Sequence, residues 1–137
     1  MAGRSEYIAA IVVNVVILYI ANNLLFWGIP FVTDAWNQVL PVLDLALVAA
    51  IVANLIFLAY DPFLLRETAK ILLDIFGIAV LYTVYRVFPF DFSSLAGAGI
   101  VTLAVRIALI LGVAATVVAI LVRVVRILFR RPPGAAR

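Results

Sequence analysis

The sequence predicts an all-α, polytopic membrane protein in which four transmembrane helices form an antiparallel bundle. Of its 137 residues, 68% are hydrophobic and only 12% are charged, and the mean hydropathy is +1.28. Soluble domains are nearer half apolar and about a quarter charged. Four long apolar segments follow one another, separated by short segments that contain Gly, Pro or Asp. Each is long enough for the roughly 20 residues that a helix needs to cross a bilayer.

The first two helices are delimited by turn and capping residues. The first apolar segment is predicted to be a retained span that ends at Gly28, because it is too long for a cleaved secretory signal. Asp34 is the expected N-cap of the second helix, which continues through Pro41 with a kink. The predicted spans of the single domain, residues 1–131, cover residues 7–28, 35–60, 62–88 and 94–131.

The last two helices are delimited in the same way. Asp61 is the expected cap of the third helix, and Pro62 suits its first position. Residues 88–92, FPFDF, predict an extended segment at headgroup level, after which Ser93 or Ser94 caps the fourth helix. At roughly 37 residues, or about 55 Å, the fourth helix exceeds the bilayer. It is therefore predicted to extend into the cytoplasm, followed by a mobile tail at residues 132–137.

The distribution of cations predicts the orientation. The loops at residues 28–40 and 88–98 contain no Lys or Arg, whereas the three segments on the other side are basic. By the positive-inside rule both termini are cytoplasmic. Frequent Arg, Ala and Val are typical of a GC-rich bacterium, so the expected location is a bacterial cytoplasmic membrane. The cations of the basic segments are Arg4, Arg66, Lys70, Arg123, Arg126, Arg130, Arg131 and Arg137.

The composition argues against most catalytic chemistry. The chain contains no Cys, no His and a single Met. Thiolate nucleophiles, iron–sulfur clusters and the usual haem ligands and general base are therefore missing. We expect no cofactor, no metal site and no enzyme. The basic residues beside the fourth span favour anionic lipid headgroups over nucleic acid, with Arg123, Arg126, Arg130 and Arg131 as the expected headgroup ligands.

Charged residues inside the spans are the strongest candidates for a site, because each needs a partner or a function. Asp44 and Arg106 both lie about eight residues from the outer start of their helices, about 12 Å deep. This common depth predicts an ion pair, which either fixes the helix register or forms a polar site for a substrate or ion. Arg86 is shallower, so it can snorkel, meet Asp91 or replace Arg106 as the partner of Asp44.

Further polar residues occupy the inner half of the predicted bundle. Asp74 has Lys70 four residues earlier and Arg123 at comparable depth, which predicts a locally neutralised anchor rather than a proton relay. Asn14 and Asn54 are at similar depth and are predicted to hydrogen-bond with each other across helices.

Small residues at four-residue spacing predict close helix packing. On the fourth helix they form a ridge that points almost opposite Arg106, so the ridge is expected to meet another helix or another subunit. The ridge consists of Ala104, Ala108, Gly112 and Thr116.

Two resemblances are present. Residues 27–31 (WGIPF), 60–62 (YDP) and 88–93 (FPFDFS) look like segments of small uncharacterised bacterial four-helix membrane proteins, a likeness that implies no activity. Residues 71–76 (ILLDIF) and 121–130 (LVRVVRILFR) resemble parts of the third and fourth helices of a voltage-sensor domain. A voltage-sensing helix has Arg at every third position, whereas sixteen residues without a cation separate Arg106 from Arg123.

The function expected from these observations is association. The chain is predicted to act as a homo-oligomer or as an accessory subunit of a membrane complex. A small channel or transporter that uses Asp44 and Arg106 is the alternative, and a voltage-sensor-like module is a further one.

Overall fold

Four long helices make up about four fifths of the structure, a computed structural model that describes residues 3–129. The helices are α1 (Arg4–Asn23), α2 (Trp36–Ala59), α3 (Phe63–Val87) and α4 (Ala98–Leu128). All four are long and apolar enough to span a membrane. The predicted fold class is therefore confirmed. The predictions for Arg130, Arg131 and the tail at residues 132–137 lie outside the described residues.

The helices are neighbours in chain order. α1 packs on α2, α2 on α3 and α3 on α4. Among the described residues, no Cα atom of α1 or α2 lies within 8 Å of one in α4. The bundle is therefore open between its first and last helices. α4, the longest helix, contains no buried residue, and most of its surface is left to lipid or to another protein.

The two ends of the bundle differ in chemistry. We call the end formed by residues 3–7, 60–67 and 123–128 the basic end, and the end formed by residues 24–35 and 88–97 the aromatic end. At the aromatic end the two loops pair, since Thr33 N–H donates to Pro89 O and Asp91 N–H donates to Phe31 O, each at 2.8 Å. The predicted extended segment at residues 88–92 is present, and this pairing fixes it against the α1–α2 loop.

A compact core lies just below the aromatic end. Trp36 Nε1–H donates to Ala21 O at 2.8 Å and thereby ties the start of α2 to the end of α1. Val39, which is fully buried, and Val84 complete this core. Tyr7 and Phe57 pack together in a smaller core at the basic end, with ring centroids 5.4 Å apart.

Several predicted helix boundaries are wrong. α1 ends at Asn23, before residues 24–28 form turns. α2 continues through Pro41 as predicted, but neither Asp34 nor Asp61 caps a helix with its side chain. Backbone turns, including Trp36 N–H to Thr33 O at 3.0 Å, satisfy the start of α2 instead.

The start of α4 is also later than predicted. Neither Ser93 nor Ser94 caps it, because α4 begins at Ala98, after Gly97. Gly97 adopts φ 74, a left-handed conformation that glycine tolerates best. The loop at the aromatic end is therefore longer than the sequence suggested.

Candidate functional site

Asp44 lies on the side of α2 that faces α1. Its Oδ1 accepts a hydrogen bond from Asn22 Nδ2 at 2.8 Å, and Asn22 also donates to Leu18 O at 2.9 Å. Within residues 3–129 no cationic group comes within 4.0 Å of this carboxylate. Asp44 is only half-buried and Asn22 is exposed. The amide solvates the carboxylate but does not neutralise its charge.

Arg106 lies on α4 and points at the end of α3. Its Nη1 donates to Tyr85 O at 3.4 Å, and its Cζ lies 4.2 Å from the Phe88 ring centroid and 5.1 Å from that of Tyr85. These are cation–π distances, so the two rings stabilise the guanidinium without neutralising it. Among the described residues no carboxylate lies within 4.0 Å of it.

Phe88 reaches Arg106 through an unusual backbone conformation. It has φ 45, the only positive φ of a non-glycine residue in the described chain. A left-handed conformation costs an ordinary residue about 1–2 kcal/mol. The conformation ends α3 and leads into the paired loop, where Pro89 is fully buried. The strained residue therefore lies next to the guanidinium, and the surrounding packing must hold it in this conformation.

The predicted Asp44–Arg106 ion pair is wrong. Asp44 belongs to the α1–α2 contact and Arg106 to the α3–α4 contact, and no Cα atom of α2 lies within 8 Å of one in α4. The sequence gives the depth of each charge but not the order of the helices around the bundle. The alternative partner also fails, because Arg86 has no carboxylate within 4.0 Å in the described part of the chain. Asp91 is occupied locally by hydrogen bonds from Ser93, which hold the pKa of Asp91 below its usual range.

The predicted neutralisation of Asp74 is confirmed at the basic end. Arg123 Nε lies 3.1 Å from Asp74 Oδ2, and both side chains are 23% exposed. Lys70 is not within 4.0 Å of Asp74, so the partner comes from α4 rather than from the same helix. This ion pair ties α4 to α3.

Glu67 forms a second link between the same helices, which the sequence analysis missed. It is 4% exposed and lies 3.5 Å from Arg126 and 3.6 Å from Arg66. Glu67 and Asp74 are seven residues apart, two helical turns, so they share a face of α3. That spacing, opposite two arginines on α4, was the available signal.

A third cluster joins α1 to the α2–α3 loop. The Tyr7 hydroxyl donates to Asp61 Oδ2, and Arg66 Nη1 lies 2.8 Å from Asp61 Oδ1. Burial raises the pKa of Asp61, but the hydrogen bonds from Tyr7 and Arg66 outweigh it and hold that pKa below its usual range. The carboxylate that was expected to cap α3 thus links α1, the α2–α3 loop and α3 through hydrogen bonds. No sequence pattern predicted this contact.

The asparagines of the inner half do not pair as predicted. Asn14 Nδ2 donates to Ala10 O at 2.7 Å, and Asn54 Nδ2 donates to Ala50 O at 2.8 Å. Each amide thus bonds to the carbonyl four residues earlier on its own helix, a common local alternative to an interhelical bond.

The small-residue ridge of α4 is divided between two faces. A Cβ at Gly112 would lie 3.2 Å from Leu81 Cδ1, so Gly112 packs closely on α3, and Thr116 is half-buried beside it. Ala104 and Ala108 are exposed. Four-residue steps rotate by about 40° around a helix, so the ridge winds from the open face onto α3. The expectation that the ridge meets another helix is confirmed at Gly112, whereas a contact of Ala104 and Ala108 with another subunit stays a prediction.

The expected lipid-headgroup arginines differ in availability. Arg123 is engaged by Asp74, whereas the side chain of Arg126 is 59% exposed. Of these two, Arg126 is the one able to contact a headgroup.

The geometry thus defines a four-helix membrane-spanning protein in which Asp61, Glu67 and Asp74 have arginine partners towards one end, whereas Asp44 and Arg106, inside the spans near the other end, have no ionic partner in the described chain. No family model matches the chain, and neither a curated protein nor a solved structure is significantly similar to it.

Proposed function

We propose that this chain is a small integral protein of a bacterial cytoplasmic membrane that acts by association. Its partner is a second copy or a larger membrane complex of which the chain is an accessory subunit. Both termini are cytoplasmic, which places the basic end at the anionic inner leaflet.

The observation that supports this proposal is the state of the two charges near the aromatic end. Asp44 and Arg106 lie in membrane-spanning helices, and neither has an ionic partner in the described chain. Charged side chains within spans almost always face protein or a water-filled cavity. At the basic end, by contrast, Asp61, Glu67 and Asp74 all have arginine partners.

The open arrangement of the helices supports the same proposal. In the described chain, the helix with Cα atoms within 8 Å of α4 is α3, and the helix with Cα atoms within 8 Å of α1 is α2. A partner can therefore approach both faces without displacing any helix. A channel or transporter built on Asp44 and Arg106 needs the two charges to line a common polar site. Asp44 binds Asn22 of α1 and Arg106 binds Tyr85 of α3 instead, so association is the better-supported function.

Native mass spectrometry of the protein released from its own membrane tests the proposal. Extraction into lipid nanodiscs keeps neighbours in place, and the tagged 14.9 kDa chain serves as the mass reference. We expect a species that contains two or more copies, or one copy together with another protein. A chain recovered only as a monomer with bound lipid, at its native membrane density, would contradict the proposal.

A further inference from the structure

We infer that Asp44 of one copy pairs with Arg106 of a second copy, so that the chain assembles with itself. The interface joins the α1–α2 edge, marked by Asn22 and Asp44, to the α3–α4 edge, marked by Phe88 and Arg106. This inference rests on the proposed function and names its partner.

The depths of the two charges match. Asp44 is eight residues past the first residue of α2, Trp36, and Arg106 is eight residues past the first residue of α4, Ala98. Both helices start at the aromatic end and run in the same direction. At 1.5 Å per residue each charge lies about 12 Å along its helix. Two copies with the same orientation in one membrane therefore present the two charges at the same level.

The positions of the charges prevent a pair within one copy but allow one between copies. Asp44 lies at the contact of α2 with α1, whereas Arg106 lies at the contact of α4 with α3. Asn22 is exposed, and Arg106 and Asp44 are half-buried. Each charge is thus reachable from outside the bundle. The two edges carry opposite charges, so one edge of a copy is electrostatically complementary to the other edge of a second copy.

Both groups also have unused hydrogen-bonding capacity. An ionised carboxylate has about four acceptor sites and a guanidinium has five N–H donors. In the described chain Asp44 accepts one side-chain hydrogen bond and Arg106 donates one, to Tyr85 O at 3.4 Å. A fork-to-fork contact between the two groups would use this capacity and neutralise both charges.

A second copy fits these features better than other occupants do. An anionic lipid headgroup can neutralise Arg106 if the side chain snorkels, but it leaves Asp44 without a cation. A different protein would have to supply an acid and a base at the same depth on separate surfaces. The chain itself supplies both. A two-fold dimer and a head-to-tail ring both contain the Asp44–Arg106 contact.

Charge exchange between copies tests the inference. Asp44→Arg alone places two positive groups at every contact, and Arg106→Asp alone places two negative groups there. Each variant, reconstituted with a donor or acceptor fluorophore, should self-associate at least about tenfold more weakly than the wild type. Mixed together, the two variants should associate again, because each contact then joins opposite charges. Rescue by mixing cannot arise from a pair within one chain.

The matched control uses a cation of the same kind on a different helix. Arg86 lies in the last turn of α3, also near the aromatic end, and is exposed. Arg86→Gln should leave association within about twofold of the wild type, whereas Arg106→Gln should weaken it about tenfold to a hundredfold. Equal losses in the two variants would show that charge in general, rather than this pair, favours assembly, and would overturn the inference.

Cross-linking of near-native chains guards against variants that fail to insert. The chain has no Cys, so Leu45→Cys in one tagged population and Ile107→Cys in another introduce single thiols. Both positions adjoin the charges and are exposed, at 56% and 46%. A short thiol cross-linker should join the two populations when the charged residues are intact.

The outcomes separate this inference from the proposed function. If the chain forms an oligomer but its cross-linking and affinity do not change when Asp44 or Arg106 is replaced, the Asp44–Arg106 contact alone is overturned. A chain found only with a different protein would also overturn it, while leaving an accessory-subunit function in place. A chain that remains monomeric and unpartnered in its own membrane would overturn both.

Discussion

The Asp74–Arg123 ion pair should stabilise the packing of α4 on α3 by a measurable amount. At 3.1 Å and an effective dielectric constant of about 20, the attraction between the charges is about 5 kcal/mol before desolvation. Desolvation offsets much of this. Exposed pairs contribute about 0.2–1 kcal/mol, and breaking fully buried pairs costs about 3–5 kcal/mol. With both side chains 23% exposed, we expect a coupling free energy of about 1–3 kcal/mol.

A double-mutant cycle measures this coupling directly. Asp74→Asn removes the negative charge, and Arg123→Met removes the positive charge while retaining an aliphatic side chain. Asp74 Oδ2 and Arg123 Nε are buried atoms without a well-aligned hydrogen bond, so either single replacement strands its partner. Unfolding in mixed micelles, followed by Trp fluorescence, gives the free energies. The double variant should lose less stability than the two single variants together.

The neighbouring ion pair provides the control. Glu67 and Arg126 join the same two helices at 3.5 Å, but the Arg126 side chain is 59% exposed and Glu67 also has Arg66 at 3.6 Å. The coupling in the Glu67–Arg126 cycle should therefore stay below about 1 kcal/mol. Strictly additive losses in the Asp74–Arg123 cycle, or a larger coupling in the control, would refute the argument from distance and exposure.

Three further predictions follow from the orientation and from the basic end. Topology reporters fused at Leu65 should report the cytoplasm and those at Thr33 and Ser94 the outside, and the reverse pattern would contradict the positive-inside assignment. Because the pKa of Asp61 in the folded chain lies below 3.8, the unfolded chain binds more protons near that pH. The stability that Asp61 contributes is therefore complete above about pH 4 and is lost as pH falls through the folded pKa. The melting temperature in detergent should fall more steeply below pH 4 for the wild type than for Asp61→Asn, and parallel curves would exclude this role. In nanodiscs at low salt, Arg126→Gln should weaken the binding of anionic lipid by about 1 kcal/mol. Unchanged lipid binding would show that Arg126 is not a headgroup ligand.

The sequence predicts the fold class well because hydropathy and span length depend on local composition. It predicts Asp74–Arg123 for a related reason. α3 and α4 follow one another in the chain, and consecutive elements are usually neighbours in space. For two adjacent antiparallel helices, the depth of each residue in the membrane is then enough to predict which side chains pair.

The Asp44–Arg106 prediction failed because it needed a contact between α2 and α4, which are not consecutive. Depth is common to every helix in a bilayer, whereas the angular order of the helices depends on packing that one sequence does not reveal. The capping predictions failed because Asp61 found stronger partners in Tyr7 and Arg66. The tendency of Asp to cap a helix is overridden where tertiary hydrogen bonds compete for the same carboxylate.

A single spin label tests most directly whether unpaired charges bring copies of this chain together. Ile107→Cys provides the only thiol in the chain, so any dipolar coupling measured by pulsed electron resonance in liposomes comes from a second copy. Self-association through Asp44 and Arg106 should give a defined distance distribution that falls to background when Asp44→Asn is added and persists with Arg86→Gln. A background decay in the parent labelled chain, at native lipid-to-protein ratios, would contradict self-association through the Asp44 and Arg106 edges.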